Sequence, residues 1–274
     1  MEKGFNSLIF KDIKELGCEK SFFENKLSLT FKKINDLVLA SLSESLDVDL
    51  LVDENVHLTL IFHPKKKVLL NFNTTLKKNS SCKIVFISNN SSSINHVSNC
   101  AQSSNIEVVN LALSSINSSN KIMLAEKASC ILVNNYFSND ISNVKDVVIH
   151  KGNNSSSLIK SNGYLLNSKA EYKGLIKIES GAFESVGEQK SHILLEGDSG
   201  AVSVPDLEIL NNDVKCSHGA ITSRIKDEDL FYFESRGISK KEARDFLIKS
   251  HLLANIFDNN IKRICEDFFI EAGV

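Results

Sequence analysis

Asp206-Leu-Glu-Ile-Leu-Asn-Asn-Asp-Val-Lys-Cys216-Ser-His218-Gly-Ala-Ile221, with Leu230-Phe-Tyr-Phe-Glu-Ser-Arg236-Gly237 shortly after, brings metal-binding side chains, small residues and a change of structural period into one short segment. Cys216 and His218 stand two positions apart, so on an extended strand both project from the same face. A thiolate beside an imidazole suits iron, zinc or copper, and not calcium or magnesium. Gly219 and Ala220 follow at once and let another backbone approach closely. The pair supplies half a site, and the remaining ligands must come from elsewhere.

Upstream of this segment the period is two. Val56, Leu58, Leu60 and Phe62 alternate with His57, Thr59, Ile61 and His63, as a half-buried strand requires. Short apolar runs recur at Val68–Phe72, Cys82–Ile87, Ile106–Leu113, Val147–Ile149, Leu175–Ile178, Ile193–Leu195 and Val202–Val204. Polar links rich in Asn and Ser separate them, among them Ser88-Asn-Asn-Ser-Ser-Ser93 and Lys151-Gly-Asn-Asn-Ser-Ser-Ser157. A sandwich, a barrel and a stacked β-solenoid all accommodate this pattern. Gly and Pro number only 12 and 2 in 274 residues, although tight hairpins usually demand them, which favours coils that climb over strands that reverse. Regular hexapeptide or nonapeptide repeats are absent, so periodicity leaves the choice open.

At both ends the pattern reads as helical. Phe31, Ile34, Val38 and Leu42 fall on one face of an amphipathic helix. After Arg224, Asp227–Ser235 reads as a short helix closed by Gly237, and Ser239-Lys-Lys-Glu242 is a capping box for a second helix. Ala243, Phe246, Leu247, Leu253 and Ile256 form its expected buried stripe, and a last helix runs over about Ile261–Glu271. The expected organisation is a helical segment over 1–47, a β core over 48–225 and a helical domain over 226–274. The latter is too small to be stable alone and must dock on the core or on a partner.

A net charge of −2, with both signs interspersed, argues against nucleic-acid binding. Met1-Glu-Lys-Gly-Phe-Asn6 is not followed by the basic and apolar regions of a signal peptide, and no window approaches the roughly 18 apolar residues of a membrane span. The chain reads as cytoplasmic, with no membrane association. Its 6 cysteines are scattered without a CxxC pair, so reduced thiols are expected, and those other than Cys216 read as small buried hydrophobes. The Asn-x-Ser/Thr triplets at Asn73, Asn79, Asn90, Asn117 and Asn154 reflect Asn- and Ser-rich composition. His63, His96, His150, His192 and His251 each stand alone.

Gly197-Asp198-Ser199-Gly200 matches the surroundings of a chymotrypsin-like nucleophile, but that chemistry also needs a base, an orienting carboxylate and an oxyanion hole. His57 lies in an alternating strand and Ala201-Val202 replaces the usual Gly-Pro, so a polar turn is the better reading. There is no P-loop and no Gly-x-Gly-x-x-Gly after a strand, so no nucleotide is expected on this chain.

Asn212-Asp-Val-Lys-Cys-Ser-His-Gly-Ala220, Asp229-Leu-Phe-Tyr232 and Ser235-Arg-Gly-Ile238 closely resemble the C-terminal signature of the SufD branch of the SufB/SufD family of iron–sulfur cluster assembly proteins. Tyr172-Lys-Gly-Leu-Ile-Lys-Ile178 and Pro205-Asp-Leu-Glu-Ile209 are similar to the family more loosely. Ser217-His-Gly-Ala220 stands where SufB proteins carry His-Glu-Ala. Ile221-Thr-Ser-Arg224 departs from the common Thr-x-Gly-x.

The resemblance implies a mainly β fold, with a right-handed parallel β-helix core flanked by helical segments. It implies a non-catalytic scaffold that pairs with a SufB-like homologue through the β-helix and carries a SufC-like ABC-type ATPase on its C-terminal helices. By the same resemblance, His218 and then Cys216 hold iron or a nascent, transient iron–sulfur cluster shared with the partner. Phe231, Tyr232, Arg236 and Gly237 belong to the ATPase-docking region. A homodimeric scaffold of the SufB type and a hydrolase using Ser199 are the alternatives.

Overall fold

The computed structural model describes residues 19–23, 26–32, 35–42, 45–64 and 66–272. The chain winds as a parallel β-solenoid in which each coil contributes one strand to each of two sheets. After β1 (Glu19–Phe23), the coils pair β2 (Lys26–Phe31) with β3 (Asn35–Leu42), β4 (Leu46–Val52) with β5 (His57–Pro64), and β6 (Leu69–Leu76) with β7 (Ser81–Ser88). Next come β8 (Ser92–Cys100) with β9 (Asn105–Ala112), β10 (Ile116–Leu124) with β11 (Ser129–Ser138), and β12 (Ser142–His150) with β13 (Ser156–Leu166). The last coils are β14 (Lys169–Ile178) with β15 (Ser185–Glu196), and β16 (Gly200–Ile209) with β17 (Val214–Ser223). Among the described residues the even-numbered strands and β1 form a 9-stranded sheet, and the remaining odd-numbered strands an 8-stranded one. Every pairing is parallel except β1 on β2.

One corner of the coil explains why Asn and Ser replace Gly and Pro. Asn55, Asn79, Ser103 and Lys127 all adopt left-handed backbone, with φ between 57° and 59°, at successive 24-residue intervals. Asn tolerates that conformation better than most residues. The N–H of each is bound to the turn of the next coil, as in Asn55 N–H to Lys78 O and Asn79 N–H to Gln102 O. The coil then lengthens: equivalent residues lie 26 apart at Asn120 and Asp146, and 30 apart at Ser155 and Ser185.

The alternation around Val56–Phe62 is observed as expected, with Val56, Leu58, Leu60 and Phe62 all inside. Phe62 stacks on Phe86 at 5.4 Å between ring centroids, and Phe72 meets each of them edge-on at 4.9 Å. Each such ring contributes roughly 1.5–3 kcal/mol by burial, and more through ring geometry.

The helix expected through Phe31, Ile34, Val38 and Leu42 is not formed. Phe31 ends β2, whose Leu27, Leu29 and Phe31 are buried in alternation, while Val38 and Leu42 belong to β3. Ile34 lies outside the described residues, as does everything before Glu19. The spacing fits a helix locally, but β2 and β3 pair residue for residue with β4 and β5, and this ladder overrides the local preference.

Three helices follow β17: α1 (Asp227–Glu234), α2 (Lys240–Leu253) and α3 (Asn259–Ala272). The Ser239–Glu242 capping box is formed in both directions. The buried stripe of α2 is Ala243, Ile248, Leu252 and Leu253, whereas Phe246 is 56% exposed and Leu247 only half-buried. Ile248, Leu252, Ile256, Ile264 and Phe268 pack on the outer face of the 8-stranded sheet, against Val85, Val109 and Val133. Polar clasps fix the contact: Arg244 pairs with Glu196, Lys83 reaches Asp258 at 2.8 Å, and His251 Nε2 meets Gly163 O at 3.1 Å. No helix among the described residues is long and apolar enough to cross a membrane.

Candidate functional site at the end coil

β16 and β17 lie last in their respective sheets, so their outer edges carry no strand among the described residues. Unpaired N–H and C=O groups make such edges templates for association. The side chains agree: Val202, Val204, Ile209, Leu210 and Ile221 are between 38% and 56% exposed. The chain turns between the two strands through Asn211, which accepts from Asp213 N–H at 2.9 Å and donates to Ser180 O at 3.0 Å.

Cys216 and His218 stand on the same face of β17, as their spacing requires. Cys216 is half-buried and packs against the main core, while His218 is exposed. In register, Cys216 lies beside Gly187 and His218 beside Gln189 of β15. A side chain at 187 would crowd Ile176 and bring its Cβ within 3.4 Å of the Cys216 sulfur, so glycine leaves room for the thiol. Burial raises the thiol above its ordinary range, opposed in part by a hydrogen bond from the Gly187 backbone. A thiol so placed is not a ready nucleophile, and a metal or a partner's positive charge is needed to hold it as thiolate. No cluster of three or more His, Cys, Asp or Glu that could hold a metal occurs among the described residues, so within them Cys216 and His218 have no third such group beside them.

Phe231 and Tyr232 lie on α1 and are 71% and 57% exposed. The Arg236 guanidinium sits 5.3 Å from the Tyr232 ring centre, and Gly237 takes the left-handed conformation, φ 83°, that ends the helix. Phe233 joins Tyr232 to Phe246, giving an aromatic surface across α1 and α2. Exposed rings grouped this way are unusual on a surface without a partner. Phe246, read from the sequence as core, belongs here.

Ser199 is structural. Its hydroxyl is bonded to Glu196 O at 2.6 Å and lies 3.1 Å from Leu165 O, and its oxygen accepts from Ser168 N–H at 3.1 Å. His57 is bound to Ser81 at 2.6 Å, in a coil far from Ser199 along the solenoid. Cys82, Cys100, Cys130 and Cys265 are buried, as expected of small hydrophobes, while Cys18 lies outside the described residues. His96 and His150 are buried among Ser and Thr hydroxyls and held neutral, each pushed down to about 4 by burial. The sequence reading missed the contact of His192 with His251 at 4.7 Å, because only the docking of α2 brings them together.

With this geometry in hand, the family model described as SUF system FeS cluster assembly, SufBD core domain, matches residues 45–251. The chain belongs to the SufB/SufD family. It is 42% identical over 81 residues, 29% of its length, to the iron–sulfur cluster assembly protein SufD of Escherichia coli, covering 19% of that relative. It is 37% identical over 122 residues to the SufBD family protein ycf24 of Porphyra purpurea, covering 44% of this chain and 24% of the relative. Protein ABCI7 of Arabidopsis thaliana chloroplasts is 37% identical over 83 residues, 30% of this chain and 18% of that protein. The matched stretch thus spans about a quarter or less of these relatives.

Proposed function

We propose that the chain is a SufD-type scaffold subunit of iron–sulfur cluster assembly, without turnover of its own. The observation that carries this reading is the Cys216–His218 pair, incomplete as a ligand set, on the last strand of a SufB/SufD-family solenoid whose edge is open. In this reading a SufB-like homologue docks on the end coil and supplies the missing ligands. His218 first and Cys216 second hold the substrate iron or the nascent cluster, which is cargo and does not stay. A SufC-like ABC-type ATPase docks on α1 through Phe231, Tyr232 and Arg236, positioned by the turn at Gly237. Because ligands and docking helix are close in sequence, a movement of the ATPase can alter how the two halves of the site face one another.

Co-purification with SufB-like and SufC-like proteins tests the reading, with iron and acid-labile sulfide measured on the complex. His218→Ala should leave the complex assembled and abolish cluster accumulation. Cluster formation at the unaltered rate would remove His218 from the site. A native mass corresponding to two copies of this chain, in place of one copy with a SufB-like protein, would favour the homodimeric scaffold.

A further inference from the structure

Arg244 and His251 stand seven residues apart on α2, two turns of helix, so both lie on the face that Ile248 turns toward the solenoid. Apolar contacts hold the helices along the 8-stranded sheet, from Val85 to Leu194. The two polar side chains reach instead to where the end coil begins and ends. The Arg244 guanidinium pairs with one oxygen of Glu196, and the Tyr164 hydroxyl donates to the other. Glu196 closes β15 and opens the turn into β16. Its carbonyl accepts from the Ser199 hydroxyl at 2.6 Å and from Asn167 N–H at 3.1 Å. The Asn167 side-chain oxygen accepts in turn from Asp198 N–H at 3.0 Å. The turn is thus strung between Glu196 and Asn167, and Arg244 holds one end of it.

The second contact leads to the other strand of the end coil. The His251 ring stands edge-on to His192, with 4.7 Å between centroids and 81° between planes. It is fixed there by Gly163 O, 3.1 Å from Nε2, and by Asn162 Nδ2, which donates to the His251 carbonyl at 2.7 Å. His192 Nε2 lies 3.0 Å from the hydroxyl of Ser223, the last residue of β17. Arg224, the next residue, donates to Gly197 O at 3.1 Å, which ties the end of β17 to the turn that starts β16. From Val214 to Ser223, β17 pairs residue for residue with β15, so the strand shifts as a unit. Ser223 is five residues beyond His218, about 17 Å of extended chain. On the far side of α2, the Phe246 ring meets Phe233 of α1 at 5.6 Å, so the aromatic surface is joined to the same helix.

We propose that Arg244 and His251 are positioning residues, a two-point clamp through which α2 sets the placement of β16 and β17 and so of Cys216 and His218. Apolar burial is non-directional and lets a helix slide on a sheet. Hydrogen bonds and a planar guanidinium on a carboxylate are directional, and they remove that freedom. A displacement of α2 therefore carries the β15–β16 turn through Glu196 and the end of β17 through His192 and Ser223. The clamp is a property of this chain alone. Its use in cluster assembly rests on the reading above, in which an ATPase on the aromatic surface acts on the ligand pair through α2.

Amide hydrogen exchange on the full chain tests the clamp without a partner. In Arg244→Gln, exchange at Asn167, Gly200 and the first amides of β16 should quicken about tenfold, with the amides of α2 and the unfolding midpoint unchanged. Arg244→Lys, which keeps the charge and loses the planar fork, should recover part of that protection. His192→Phe keeps a ring against His251 and loses the bond to Ser223, so it should quicken the amides of β17 near Ser223 and leave β16 as it was. Unchanged exchange in both Arg244→Gln and His192→Phe overturns the proposal. So does a uniform quickening with a lowered midpoint, which is what a merely structural contact gives. If Arg244→Gln does not fold, Glu196→Gln reads the same contact from the other side. In a second measurement a SufC-like ATPase is added. Exchange in β17 should change in the unaltered chain and stay constant in the double variant Arg244→Gln/His192→Phe. A bound ATPase without that response, or with an equal response in the double variant, overturns the coupling. An ATPase that does not bind refutes the docking reading, and the clamp is then decided by exchange in the chain alone.

Discussion

Two parts of one solenoid solve the same packing problem in opposite ways. From β4 to β7 the coil is 24 residues long and its interior is apolar, with Phe62, Phe72 and Phe86 filling the space between the sheets. From β10 to β15 the coil lengthens to 26 and then 30 residues, and amides, hydroxyls and one carboxyl line the lumen. The first part holds the chain together by burial. The second gives up some of that gain, since buried polar groups cost free energy unless they are paired. A stretch that costs stability and stands next to the end coil is expected to serve function.

The largest test of this contrast is Phe72→Ala. Phe72 is 1% exposed and contacts both neighbouring rings, so the variant should lose about 3–5 kcal/mol in denaturant unfolding. Tyr172→Phe, in the other part, removes an enclosed hydroxyl that has no partner among the described residues and should cost less than about 1 kcal/mol. Equal losses would erase the distinction between the two interiors.

The next test is the pH dependence of stability. Asp146 is held at about 7 in the folded chain against its ordinary 3.8, so the folded state binds the proton more tightly than the unfolded one. Its contribution is fully present below about 3.8 and declines as pH rises through about 7. His96, His150 and His251, each pushed down to about 4 from 6.5, act in the opposite sense: their contribution is present above 6.5 and is lost as pH falls through about 4. The difference between Asp146→Asn and the unaltered chain isolates the carboxyl. The variant's relative stability should grow between about pH 4 and pH 7 by something of the order of 4 kcal/mol, then stay level. A difference that does not change with pH would mean that Asp146 is not buried as a titrating group.

The same contrast governs what could be read from the sequence. Strands of the apolar part were legible, because Val56, Leu58, Leu60 and Phe62 alternate with polar residues as the pleat demands. β8 and β13 begin inside the stretches Ser88–Ser93 and Lys151–Ser157 that read as links, and neither is marked by an apolar run, for a reason their inward residues show. Ser92, His96 and Ser98 on β8, and Ser157, Ser161 and Gly163 on β13, face the lumen, so no apolar alternation marks them. At β3 the error ran the other way: apolar residues happened to fall at helical spacing, and only long-range pairing with β5 decides the case. The shared face of Cys216 and His218 was legible, because a spacing of two on a strand fixes it. The open edge beside them was not legible, since which strand comes last in a sheet is a property of the whole stack. Phe246 was misassigned because an aromatic side chain at a helical i+3 position reads as core whether it meets the solenoid or faces outward.

The smallest effect bears on the corner that both parts share. Asn79 adopts φ 57° and gives its N–H to Gln102 O, and the same geometry recurs at Ser103, Lys127, Asn154 and Glu184. The conformation is therefore imposed by the stack and not by any one side chain, since Lys127 and Glu184 are poor candidates for left-handed backbone. Asn79→Ala should then cost about 1 kcal/mol, the left-handed penalty of an ordinary residue, and Asn79→Gly should be near neutral. Thermal unfolding of the two variants separates the contributions of conformation and side chain. A loss in Asn79→Gly as large as that in Asn79→Ala would show that the Asn amide, and not its tolerance of positive φ, holds the corner. The apolar and polar parts would then differ in their corners as well as their interiors, because Lys127 and Glu184 cannot supply that amide.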